Sequence, residues 1–239
     1  MYNIKIYFIL WLIVSCCHTS GHAQWYVSIE AGCSSNLLDK DLSSISSTQN
    51  KHGNGIQLAM GAIYTISPAF NLNMNVGYIQ KNSSLIRTGI YEGGFTNQHN
   101  GYVHLPITLH WNGYKYKKII LQLYTGGYAA YWMYGQTSGK IPNLYNSWNE
   151  IDENGQVSQK ISLESYSEKY RFNSTKDRRI EWGWLAGAGI NYQICHRYSL
   201  FSHFSYLQAI TPQQKTDNNN QSGAFNKTIA ASIGCLYRL

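Results

Sequence analysis

The chain has 239 residues, few enough for one domain, with 13% charged residues, four prolines, 21 glycines and 20 tyrosines. Its formal net charge of +7 is spread thinly, without the dense Lys/Arg block that tracks a nucleic-acid backbone, so no nucleic-acid partner is expected. A slightly negative mean hydropathy excludes a bundle of transmembrane helices. Low charge with many aromatics suits strands that turn one face to lipid and the other to a polar interior, with a secreted β-sandwich as the soluble competitor.

At the N-terminus, Lys5 is the only charge before an apolar run over residues 6–14, which is too short to span a bilayer. Gly21-His22-Ala23 then offers a small-x-small cleavage site. Residues 1–23 are therefore expected to be a signal peptide, and residues 24–239 a single domain. A rival reading takes Ile13-Val14-Ser15-Cys16 as a lipoprotein signal in which Cys16 is lipidated. Cleavage after Ala23 removes Cys16 and Cys17, leaving Cys33, Cys195 and Cys235. Three scattered cysteines make neither a disulfide framework nor a zinc site; small apolar surface residues are the expectation, with room for one disulfide. Loss of Lys5 leaves a net charge of about +6 on the mature chain.

In chain order, faint strand patterns over residues 25–33 and 55–66 lead to a clear one over 70–78. There Phe70, Leu72, Met74, Val76 and Tyr78 share one face and Asn71, Asn73, Asn75 and Gly77 the other, a period of two that no helix reproduces. Residues 102–111 set Val103, Leu105, Ile107, Leu109 and Trp111 against Tyr102, His104, Thr108 and His110. A fainter strand over 119–132 precedes 182–194, where Trp182, Trp184, Ala186, Ala188, Ile190, Tyr192 and Ile194 oppose Gly183, Gly187, Gly189, Asn191 and Gln193. Residues 198–208 are ambiguous, because Phe201 and Phe204 point to opposite faces. The last strand, 228–239, sets Ile229, Ala231, Ile233, Cys235, Tyr237 and Leu239 against Thr228, Ser232, Gly234 and Arg238. The count is eight.

Short connections (Ser67-Pro68-Ala69, residues 112–118, and Cys195-His196-Arg197) alternate with long ones over 34–54, 79–101, 133–181 and 209–227. That alternation is how outer-membrane barrels are built, with tight periplasmic turns and long external loops. The fold class is thus all-β: an eight-stranded antiparallel transmembrane β-barrel. Trp25, Phe70, Trp111 and Tyr237 fall near the periplasmic strand ends, and Tyr78, Tyr131, Trp132, Trp182 and Trp184 near the external ends, as two interfacial girdles require. Asp152-Glu153-Asn154-Gly155 is a turn signal, so the third loop is read as a hairpin extending strands five and six above the membrane, against a disordered alternative. The run Thr216-Asp217-Asn218-Asn219-Asn220-Gln221-Ser222-Gly223 is too polar to pack.

Tyr102-Val103-His104-Leu105-Pro106, the Gly-rich Trp184-Leu185-Ala186-Gly187-Ala188-Gly189-Ile190-Asn191-Tyr192 and the closing Ile233-Gly234-Cys235-Leu236-Tyr237-Arg238-Leu239 resemble the outer-membrane β-barrel proteins of the Bacteroidetes, including the PorT-like group. The resemblance runs through residues 24–239. It implies a terminal strand read by the outer-membrane assembly machinery, here ending in Leu where Phe is commoner, and it implies no catalytic residues.

An eight-stranded barrel is just wide enough for side chains to fill it. Inward Tyr26, Gln57, Tyr102, Gln122, Tyr124 and Phe201 are expected to plug the lumen and exclude a porin-like channel. Glu30, His104, His110, His203 and Arg238 are the titratable inward candidates, read as a hydrogen-bonded polar plug in preference to a proton or metal site. His104 and His110 lie six residues apart on one strand, roughly 20 Å at strand rise and too far to share a metal. No Gly-x-Ser-x-Gly elbow occurs. No catalytic, cofactor-binding or metal residue is assigned, and no cofactor is expected. The expectation is a non-enzymatic barrel in the cell outer membrane, acting through external loops or its periplasmic rim as scaffold, adhesin or secretion-assembly component. Its expected partners are outer-membrane lipid and lipopolysaccharide, the assembly machinery, and a protein met through the loops. The alternative is a lipid- or glycan-modifying enzyme with its site on the barrel wall.

Overall fold

The computed structural model describes residues 24–40, 47–151, 157–215 and 223–239. The signal-peptide segment 1–23, the turn signal at 152–155 and most of the polar run at 216–223 lie outside them. The chain forms ten strands: β1 (Gln24–Asp39), β2 (Thr48–Ser67), β3 (Phe70–Gln80), β4 (Ser83–Arg87), β5 (Phe95–Tyr116), β6 (Ile119–Ile151), β7 (Val157–Lys169), β8 (Ile180–Gln193), β9 (Tyr198–Ala209) and β10 (Phe225–Arg238). Eight of them close a ring of antiparallel ladders in the order β1, β2, β3, β5, β6, β8, β9, β10, with β10 returning to β1 from Tyr26↔Arg238 to Asp39↔Phe225. Closure leaves no sheet edge, the condition for a β-structure to cross lipid. All eight expected strands lie in this ring, the ambiguous seventh included: Phe201 points inward at 5% exposure and Phe204 outward at 57%.

The long connections differ from the expectation. Much of 34–54, 79–101 and 133–181 is strand, because the ladders run on past the apolar belt. Beyond the bilayer both faces meet water or other polar groups, so side-chain alternation weakens, while backbone N–H and C=O groups still require partners. β4 pairs with both β2 and β5 above the ring. β6 continues to Ile151 and β7 returns along it from Ile151↔Val157 to Gln136↔Lys169, the hairpin expected in the third loop. At the opposite end the connections are short. Only Lys117 and Lys118 join β5 to β6, and Lys117 takes a left-handed φ of 52°.

The outer wall carries exposed Ile29, Leu58, Met60, Ile107, Leu123 and Ile233. Such a contiguous apolar belt is untenable in water and is what a bilayer requires. Trp25, Phe70 and Trp111 stand outward near the short-turn end, and Tyr131, Trp182 and Trp184 near the other. Trp132 departs from the expected girdle. As the inward neighbour of outward Tyr131 it is 3% exposed and belongs to the lumen.

Candidate functional site

Strand parity carries polar groups into the lumen, and it continues into segments where the apolar alternation has faded. Asn36 keeps phase with Ser34 on β1, Glu181 with Gly183 on β8, Asn226 with Thr228 on β10, and Lys81 extends the inward series of β3. These four residues come one from each of the four long connections, and all are buried. Lys81 forms an ion pair with Glu181, the two side chains 0% and 4% exposed. Tyr128 donates its hydroxyl to Glu181 Oε1 at 2.8 Å, and Asn226 Nδ2 donates to Glu181 Oε2 at 2.6 Å. Asn36 Nδ2 donates to Asn226 Oδ1 at 2.9 Å, and Thr228 Oγ1 to Asn36 Oδ1 at 2.6 Å. The ammonium of Lys81 also lies 4.6 Å from the Tyr128 ring centroid. Every charge in this layer has a counter-charge and hydrogen bonds, the condition for ions to persist away from water.

An aromatic cap seals the network from outside. Tyr102, which accepts a hydrogen bond from Gln213 at 3.1 Å, stacks on Trp132 at 6.0 Å. Trp132 in turn meets Tyr170 at 5.0 Å and Phe172 edge-on at 4.9 Å. Arg179 sits over Phe172 and donates to the carbonyl of Trp132. Tyr170 donates to Asp177 at 2.8 Å. Burial, joined by that carboxylate, pushes its hydroxyl up to about 12, so the bond persists across physiological pH.

Of the expected titratable residues, Glu30, His104, His110 and His203 form the middle layer, while Arg238 lies nearer the short turns. Glu30 accepts from Ser232 at 2.9 Å and lies 3.6 Å from His203 Nδ1. His110 stacks on Tyr124 at 4.5 Å and meets His203 at 5.5 Å. His104 is apart from both, edge-on to Tyr128 at 5.0 Å. Inward glycines seat these rings. Gly187 pairs across the ladder with Tyr124 and Gly183 with Tyr128, and an added Cβ at either would lie 2.5 Å from the tyrosine ring. The room left by glycine is thus taken by cross-strand aromatics. Among the described residues no group of three His, Cys, Asp or Glu side chains could hold a metal ion.

The lumen is not filled along its whole length. Below His110 and His203 it opens toward the short turns as a cavity of about 310 Å³, walled by Tyr26, Gln122, Asn191, Phe201 and Arg238 among others. Tyr26, Gln122 and Phe201, expected as plug residues, line this space, whereas Tyr102 and Tyr124 do close the lumen. Gln57 borders a residual void of about 60 Å³ beside Glu30. Sequence reasoning missed Lys81, Glu181, Asn36 and Asn226 because it ended the strands where apolar alternation ended. Extending the parity by one to three positions would have found them. The three cysteines are free thiols. Cys195 sits in the β8–β9 turn, where backbone N–H groups of Arg197 and Tyr198 lower its pKa.

Residues 20–236 match the family model described as the outer membrane protein beta-barrel domain. No curated protein matches the chain. Among solved structures, a major outer membrane protein from Thermus thermophilus is similar at 14% identity and a TM-score of 0.46, over 92% of this chain and 100% of that one. OprG from Pseudomonas aeruginosa is similar at 10% identity and a TM-score of 0.45, over 92% and 98%. Neisserial surface protein A is similar at 11% identity and a TM-score of 0.38, over 90% and 98%.

Proposed function

The chain belongs to the outer membrane protein β-barrel family, and we propose that it is a non-conducting, non-enzymatic surface barrel that acts through its external hairpins. The observation that carries this reading is the closed external lumen: among the described residues, a buried Lys81–Glu181 pair lies under a Tyr102–Trp132–Tyr170 stack. The same end extends the β6–β7 hairpin beyond the wall, with Ile141 48% and Trp148 52% exposed. Exposed aromatic and aliphatic groups on a hydrogen-bonded ladder suit a protein partner. Residues 1–23 serve as the export signal. The motifs around Tyr102–Pro106 and the Ile233–Leu239 terminus support placement with the PorT-like proteins of the Bacteroidetes and a terminal strand read by the assembly machinery. Lipid and lipopolysaccharide surround the wall.

Liposomes carrying the refolded barrel should not swell in small sugars, and swelling would overturn the closed-lumen reading. A photo-crosslinking residue at Trp148 should capture a discrete protein on living cells, while one at lipid-facing Ile233 should not; equal capture would remove the hairpin as the working surface. Mass spectrometry of lipid A should be unchanged by loss of the gene, whereas a changed profile would favour an enzyme on the barrel wall.

A further inference from the structure

The cavity at the short-turn end treats charge differently from the rest of the lumen. Lys115, Arg197 and Arg238 line it together with His196, and no Asp or Glu side chain does. None of the three permanent cations has a carboxylate partner among the described residues. Arg238 is held in the wall opposite Tyr26, while Arg197 stands in the β8–β9 turn and Lys115 near the end of β5, opposite Ile120. In a narrow mouth with low-dielectric walls, such charges add to a focused positive potential. The cavity is blind, because the His110–Tyr124–His203 layer closes it above. In an outer-membrane barrel its short-turn opening faces the periplasm.

A second observation concerns the wall. Asn191 is 9% exposed, lines the cavity, and its Oδ1 accepts no hydrogen bond from the protein. A buried acceptor of this kind calls for a donor. The donor and the unbalanced cations together define a ligand: an anion with more than one negative charge and at least one hydroxyl. Arginine forks and side-chain amides such as that of Gln122 match phosphate oxygens. At about 310 Å³ the space is at the lower end of the ~300–1,000 Å³ range of small-molecule sites.

We propose that this periplasmic vestibule binds a hydroxyl-bearing phosphate monoester, with Arg238, Arg197 and Lys115 holding the phosphate and Asn191 accepting from a hydroxyl. The site is separate from the external hairpins, and its failure leaves the reading of those hairpins untouched. The ester has two possible sources, a soluble sugar phosphate or the headgroup of a phosphorylated lipid.

The test is isothermal titration of the refolded full chain in a non-ionic detergent with glucose 1-phosphate, glucose and lysophosphatidic acid. Saturable binding of glucose 1-phosphate marks a soluble source, and binding of lysophosphatidic acid alone marks a lipid headgroup. Arg238→Gln should weaken binding by about tenfold or more, as loss of a charge-assisted hydrogen bond predicts. The pair Lys115→Gln/Arg197→Gln should do the same without touching the terminal strand, and Lys227→Gln, outside the cavity, should have no effect. Heat-modifiable migration on gels verifies folding of each variant. Binding of neither phosphate, equal binding of glucose, or equal loss in Lys227→Gln would overturn the proposal.

Discussion

At the external end of the lumen Lys81 and Glu181 are buried against one another, with Tyr128 and Asn226 completing the shell of the carboxylate. At the periplasmic end Arg238, Arg197 and Lys115 border open space with no carboxylate among them. The same strands build both ends, with the inward parity kept except at the bulge between Asn112 and Tyr114 of β5, after which Lys115 faces the cavity. The difference lies in where the strands continue. Externally the ladders run on for many residues and carry aromatic segments back over the opening, so water is excluded and charge must be neutralised within the protein. At the short-turn end no described residue folds back over the opening, so water reaches the cations and they need no internal partner. One lumen thus holds a stabilising seal and a receptive pocket.

The largest expected effect breaks the seal. Glu181→Gln leaves the buried ammonium of Lys81 without its counter-charge and should destabilise the barrel by about 3–5 kcal/mol, measured by urea unfolding in micelles. Lys81→Met/Glu181→Met, which removes both charges, should recover much of that loss. Arg238→Gln at the solvated end should change stability by no more than about 0.5 kcal/mol; equal penalties at the two ends would erase the contrast. Next in size, Gly187→Ala places a Cβ 2.4 Å from the Phe204 carbonyl oxygen and 2.5 Å from the ring of Tyr124 and should cost about 1–3 kcal/mol in the same unfolding measurement. Combined with Tyr124→Leu, the loss should be less than additive if the ring contact is the cause.

Two smaller predictions concern the short-turn end. Cys195 should react with a membrane-impermeant maleimide only after the outer membrane is permeabilised, while lipid-facing Cys33 should stay unlabelled. Because turn N–H groups lower its pKa, the labelling rate of Cys195 should rise through a midpoint below that of an ordinary thiol. Labelling of intact cells would invert the assigned topology. Lys117→Gly relieves a left-handed residue in the β5–β6 turn and should stabilise by up to about 1 kcal/mol, seen as a small rise in the urea midpoint.

How much of this was legible in the sequence depended on where a residue stood relative to the bilayer. Within the apolar belt, outward Val103, Leu105, Ile107 and Leu109 against inward Tyr102, His104, Thr108 and His110 fix orientation without any structure, because lipid and lumen demand opposite chemistry. Above the belt that contrast ends. Asn36, Lys81, Glu181 and Asn226 therefore read as loop residues although they continue the same parity. Trp132 reads as a girdle residue for the related reason that an aromatic near a strand end suits either face.

The eight strands of the ring, their antiparallel order, the inward and outward faces and the alternation of short and long connections follow from the sequence, since each rests on local periodicity and spacing. Which inward residues meet does not. Glu30 with His203, Lys81 with Glu181, and Asn36 with Asn226 are joined across 173, 100 and 190 positions, and ring closure alone brings them together. The pairing of external charges and the freedom of periplasmic ones were decided by the tertiary structure, because whether an ion needs a partner depends on whether water can reach it.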